Sequence, residues 1–284
     1  MEGKQEHGES ASALRHEIAQ LENRLLEAQA KLKAVQLHDE PSPSPGPSRR
    51  DASAHFLYLL SDSALPLGSF AFSSGLESYQ AHSGRAASFS TFLPSSLSSF
   101  AATTLPFVLA AHRDTSQLAA LDDHLDAAVI CTVARRASVA QGRALLSIWE
   151  RSFRPTLPGF EAQILRDFSA LLRDSRGEDP PRVSAHLAPL FGVICATVGL
   201  GLRQTAYVFL LSHAKALISA AVRASMFGPY QAQKVLAGEQ VQRLIDAMIE
   251  REWDTSVEDA GQNMPMMDLW VGRHEVLYSR IFNS

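Results

Sequence analysis

Apolar positions recur at helical spacing along most of the chain. Leu118, Leu121, Leu125 and Val129 fall on one helical face, as do Ile164, Phe168, Leu171 and Leu172, and again Val241, Leu244, Ile245 and Met248. Between such runs stand helix breakers: Pro155 with Pro158-Gly159, Gly177 to Pro181, Gly199 to Gly201, Gly228-Pro229, and Gly261 to Pro265. A sustained period-two run of β-branched residues is missing. The pattern predicts an all-α protein, with a single globular helical domain of about eight to ten helices over residues 55–284 and no sheet.

The first residues follow a different rule. Leu14, Ile18, Leu21, Leu25, Ala28, Leu32 and Val35 alternate spacings of four and three, flanked by Glu17, Glu22, Arg24, Glu27, Lys31 and Lys33. That is a heptad seam of about three repeats. Residues 1–40 are therefore expected to form an amphipathic, coiled-coil arm; a solitary amphipathic helix would be marginal in water at this length. Pro41, Pro43, Pro45 and Pro47 alternate with Ser and Gly. They remove backbone donors and forbid helix, so residues 41–54 read as a disordered linker.

Charge and composition narrow the function. A net charge of −4 over 284 residues provides no basic face for nucleic acid. The polar N-terminus has no apolar signal core. The most apolar stretch, Leu187 to Leu202, carries Pro189 and is shorter than the about 20 residues that a bilayer requires. A soluble, cytoplasmic protein with no membrane partner is expected. Cys131 and Cys195 sit in apolar helical text and read as buried free thiols.

Signatures of catalysis are missing. The chain has no phosphate-binding loop and no G-x-S-x-G elbow, and Gly199-Leu200-Gly201 lacks the third glycine of a dinucleotide site. His274-Glu275 begins an H-E-x-x-H pattern, but Tyr278 stands where the second His belongs. The 10 His are dispersed, none three or four apart on one helix, so no cofactor or metal cage is expected. His186 reads as a helix-start or partly buried residue, and His213 as a satisfied core histidine.

What remains unusual is the segment Ser61 to Tyr79, SDSALPLGSFAFSSGLESY, dense in Ser, Gly and aromatics. Pro66-Leu67-Gly68 reads as a turn, and Ser73 or Ser74 as a cap for a helix carrying Glu77 near its positive end. Phe70 and Phe72 either pack inward or form an exposed patch.

This segment resembles the UreF family of urease accessory proteins. The family pattern S-D-[ST]-x-x-P-x-G-[GS]-[FY]-x-x-S-x-G-L-E matches Ser61 through Glu77. Three further blocks agree in order: Arg135 to Leu146, His186 to Gly192, and Arg273 to Ser284, which is similar to the family ending H-E-x-L-Y-S-R-L-F-x-S. The resemblance covers about residues 55–284. It implies a non-enzymatic, all-α homodimer that joins a UreD/UreH-type accessory protein and a UreG-type GTPase during nickel delivery to apo-urease, with nickel only in transit. The alternative is a nickel-binding or GTPase-regulating factor acting directly on UreG. The resemblance also implies a partner-binding tail, residues 264–284, and partner-binding roles for Phe70, Glu77, Tyr79, His274, Glu275, Tyr278 and Arg280. Among these, Arg280 takes the position of the arginine that recruits the GTPase. Where some members carry Tyr, Phe70 has no hydroxyl to donate. Tail residues His274 and Arg280 are expected on a short helix with few core contacts, frayed until a partner binds.

Deleting residues 1–50 is expected to leave a soluble domain with one cooperative melting transition, measured by circular dichroism. Loss of that transition would make the arm part of the core.

Overall fold

A computed structural model describes residues 20, 21, 24, 25, 27, 28, 49–157, 162–175, 177, 178 and 180–283. Backbone contacts divide the chain into two units, Met1–Ser48 and Arg49–Ser284. The Pro/Ser run and four of the seven seam positions, Leu14, Ile18, Leu32 and Val35, lie outside the described residues; the six described positions of the arm are helical.

The described residues of the second unit are mostly helical. Its α-helices are α1 (Arg49–Ser61), α2 (Leu76–Ser83), α3 (Phe89–Arg113), α4 (Leu118–Ala128), α5 (Thr132–Ile148), α6 (Gln163–Asp174), α7 (Leu187–Thr197), α8 (Leu202–Arg223), α9 (Pro229–Ala237), α10 (Glu239–Glu252) and α11 (Pro265–Arg273). Among the described residues there is no strand. Eleven helices exceed the expected eight to ten because α2, α9 and α11, at eight or nine residues each, are too short for periodicity to register. Helix α1 begins at Arg49, so residues 49–54, expected as linker, are helical.

Helix α3 is the spine. Its 25 residues pack against α7, α8 and α10. Two prolines sit inside it. Pro106 has no N–H for the Ala102 carbonyl, and that carbonyl instead accepts the Gly261 N–H at 3.2 Å. A helix defect thereby anchors the loop leading to α11. α7 is buried from Ala188 to Cys195. Cys195 has its thiol pushed up by burial, as expected for an inert core thiol. Helices α3 and α8 are long and apolar enough to cross a membrane, but most of each apolar window is buried inside the fold.

The start of α7 is fixed by a buried carboxylate. Asp122 accepts the N–H groups of Ser184 (2.6 Å), Ala185 (3.0 Å) and His186 (2.6 Å). These bonds hold Ala185 at φ 69°, a strained value for a residue with a Cβ. His186 is fully buried, with Nε2 at 2.8 Å from Asp126 Oδ1 and Nδ1 at 3.0 Å from Ser138 Oγ. Asp126 can only accept, so Nε2 carries the proton and Nδ1 accepts from the Ser138 hydroxyl. The order Asp–His–Ser imitates a nucleophile relay. Here the Leu187 N–H already donates to Ser138 Oγ, and Arg135 clamps Asp126 with two bonds, so the chain of groups works as a structural lock. Burial pushes the Asp126 carboxyl up, but the bonds from Arg135, His186 and Ser184 hold it below the usual carboxylate range. Gly142 lets α5 approach: a Cβ there would stand 2.1 Å from the Ala185 carbonyl oxygen.

His213 is the satisfied core histidine that its sequence context suggests. Its Nε2 meets Ser96 Oγ at 3.0 Å and its ring stacks on Phe100 at 3.9 Å. Burial lowers its pKa to about 3. Unfolding lets it take up a proton at any pH below the ordinary histidine value, so its contribution to stability is present at neutral pH and is lost as pH falls toward 3. Between pH 6.5 and 5 that amounts to about 2 kcal/mol. Urea melts should lose stability by this order over that window, and His213→Gln should flatten the slope; an unchanged slope would contradict the assignment.

Candidate functional site

The segment Ser61 to Tyr79 is a compact turn with an open side. Asp62 accepts the Ala64 N–H at 2.9 Å. Ser69–Ala71 forms a 3-10 turn whose Ser69 hydroxyl bonds Gln141 Oε1 at 2.9 Å, tying the turn to α5. Ser74 and Gly75 both take positive φ, 51° and 84°. At Gly75 a Cβ would stand within 3.1 Å of Val271 N and the Trp270 backbone, so only glycine lets α11 lie against the start of α2. The Ser73 hydroxyl accepts the Glu77 N–H at 3.4 Å, in the manner of a cap. Tyr79 turns inward: its hydroxyl accepts the Ser88 N–H at 3.0 Å and its ring meets Phe92 and Trp270.

The C-terminal tail closes over this turn. Glu77, its side chain 11% exposed, accepts from His274 Nε2 at 2.8 Å, from the Ile281 N–H at 2.7 Å and from the Phe282 N–H at 3.2 Å. The Asn283 N–H donates to the Ala71 carbonyl at 2.7 Å. Phe282 is buried under the Arg223 guanidinium, 4.4 Å from the ring centre. Ordering the backbone of residues 277–283 costs about 1–2 kcal/mol each. Bonds to a carboxylate contribute about 1.5–3 kcal/mol each, and burying a Phe about 1.5–3. Cost and gain are of the same size, so Glu77 decides whether the tail stays down.

Two expectations about the tail are corrected. Only His274–Val276 forms a 3-10 turn; Leu277 to Asn283 has no helix, and Arg280 lies in an irregular stretch. The tail is also docked rather than frayed, because Glu77 supplies the acceptors that the last backbone N–H groups need. Glu77, Tyr79 and His274, expected to bind partners, have intramolecular ones. His274 is fully buried, with Nδ1 lacking a partner among the described residues.

Phe70, Glu275, Tyr278 and Arg280 remain outside, with Phe70 67% exposed and Tyr278 fully so. Val276 and Ile281 are exposed beside them. Phe72, Arg136, Ala140, Glu275, Arg280, Phe282 and Asn283 line an open cleft of about 600 Å³. At its rim Glu275 is bound by Arg136 and lies 3.7 Å from Arg280. The bond from Arg136 holds the Glu275 carboxyl below the usual carboxylate range. Arg136 and Arg223 carry no signal of this role in the sequence, and Phe282 is marked only as part of the matching tail block. Arg136 sits in a block matching the family, but nothing local says that it meets the tail. Among the described residues no group of three His, Cys, Asp or Glu side chains is placed to hold a metal ion.

The UreF protein-family profile matches residues 84–240. A "Uncharacterized urease accessory protein UreF-like" chain from Schizosaccharomyces pombe is 38% identical over 232 residues, 81% of this chain and 97% of that protein. "Urease accessory protein F" from Oryza sativa subsp. indica is 33% identical over 78% of this chain and 82% of its own length. "Urease accessory protein UreF" from Paenarthrobacter aurescens is 31% identical over 80% of this chain and 96% of its own.

Replacing Glu77 by Gln should free the tail. Hydrogen exchange at the Ile281 and Phe282 amides is expected to speed up at least tenfold while the melting temperature moves by a few degrees. Unchanged protection of those two amides would show that the latch lies elsewhere.

Proposed function

The chain belongs to the UreF family of urease accessory proteins, and from that premise we propose that it is a non-enzymatic scaffold of urease maturation. In this reading it bridges a UreD/UreH-type accessory protein and a UreG-type GTPase while nickel is inserted into apo-urease, and it acts as a homodimer in the cytoplasm. Nickel is cargo in transit between partners.

The observation that carries the reading is the latch. It brings the signature turn and the chain end, about 200 residues apart in sequence, onto one surface. Inside, Glu77, His274 and Phe282 are consumed by the fold. Outside, Phe70, Tyr278, Ile281 and Arg280 are left without a buried environment of their own. Large apolar side chains next to an arginine suit a protein interface, where aromatic and Arg anchors carry most of the binding energy. Arg280 makes no hydrogen bond to a described residue, so its planar fork of donors is open to a partner. Phe70 contributes area alone; a contact that rests on a hydroxyl at this position is not available here.

Arg280→Ala is expected to remove the GTPase from a pull-down with both partners, while the UreD/UreH-type protein stays bound and the melting temperature is unchanged. GTPase recruitment at the wild-type level by the folded variant would end the role given to Arg280.

A further inference from the structure

Glu275 holds an exposed fork of two arginines that its own charge does not fill. Arg136 binds it directly, whereas Arg280 stands at 3.7 Å, beyond hydrogen-bond distance, with its donors unused by any described residue. Among the described residues lining the cleft, two guanidiniums face one carboxylate, in a chain whose net charge is −4. All three side chains are open to solvent: Arg136 is 58% exposed, and Glu275 and Arg280 are each 42% exposed. Phe72 and Phe282 also line the cleft, and Tyr278 and Ile281 are exposed on the same tail. At Glu77, in α2, the carboxylate that holds the tail is nearly buried. At Glu275 the pair is left wet, where an ion pair is weak and exchangeable.

We propose that the Arg136–Arg280 fork is a seat for a carboxylate side chain on an acidic, partly apolar peptide segment of a partner, with Glu275 as an internal placeholder that this carboxylate displaces. The proposal rests on the docking reading above and adds the chemistry of the contact. A guanidinium pairs a carboxylate through two parallel bonds, and Arg280 has that geometry free. Charge complementarity selects an acidic segment, and the exposed Tyr278 and Ile281 on the same tail select one that also carries an apolar residue. Glu275 lowers affinity by competing for the fork; in return it keeps two adjacent guanidiniums from repelling each other before the partner arrives.

The sign of one substitution separates this arrangement from an ordinary surface ion pair. Fluorescence anisotropy would use the full chain and a labelled Glu-rich dodecapeptide carrying one Leu, with its Gln counterpart as control, at low and high salt. The glutamate peptide is expected to bind, more weakly in high salt, and the glutamine peptide not to bind. Glu275→Gln should tighten binding roughly two- to fivefold, Arg280→Gln and Arg136→Gln should each weaken it, and the gain from Glu275→Gln should vanish in the Arg136→Gln background. Unchanged or weaker binding by Glu275→Gln, or equal binding of both peptides, would overturn the proposal. Should Glu275→Gln not fold, Glu275→Asp, which withdraws the carboxylate by one methylene, makes the same comparison. Recruitment that depends on Arg280 together with an indifferent Glu275 sinks the placeholder alone and leaves the docking reading standing.

Discussion

A carboxylate that is 11% exposed must find hydrogen-bond donors, and Glu77 finds three of them in a segment almost 200 residues later. The surface described above depends on that one requirement. It sets the path of the last residues, puts Phe282 under Arg223 and carries Arg280 to the edge of the cleft. The same three bonds are also what the tail needs. Its backbone N–H groups have no helix to pair in, and a tail without them would return to water.

The core solves the equivalent problem with Asp122. Its carboxylate gathers three successive N–H groups before α7 and so fixes where that helix begins. One carboxylate is sealed completely and its segment is rigid. The other is nearly sealed and holds a chain end whose ordering cost matches its gain. The frame is reinforced by Asp126, His186 and Ser138, whose mutual bonds tie α4, α5 and the start of α7 together.

The outer face follows from what the frame and latch consume. Intramolecular partners account for Glu77, Tyr79, His274 and Phe282, while Phe70, Tyr278, Ile281, Arg136, Glu275 and Arg280 are among the described residues that stay exposed on this side. Together they combine aromatic area with guanidinium donors, the composition of a protein-binding surface. Family membership gives that surface its setting in urease maturation, and the geometry narrows which side chains face outward.

Helical periodicity and helix breakers made the all-α fold legible, since Leu118, Leu121 and Leu125, or Val241 and Ile245, are buried where a period of 3.6 puts them. The turn at Pro66-Leu67-Gly68 was legible as well, and Gly68 takes φ 75° there. Short helices were not, and neither was the tail: a 3-10 turn followed by irregular backbone has no period to read. Nor could residue type distinguish Glu77, which is sealed, from Glu275, which is wet. The sequence by itself determined the helices, the turn and the family. Only the tertiary structure decided which carboxylate latches the tail and which arginines share a cleft, because burial and long-range donors are properties of three-dimensional neighbours and leave no mark at either residue alone.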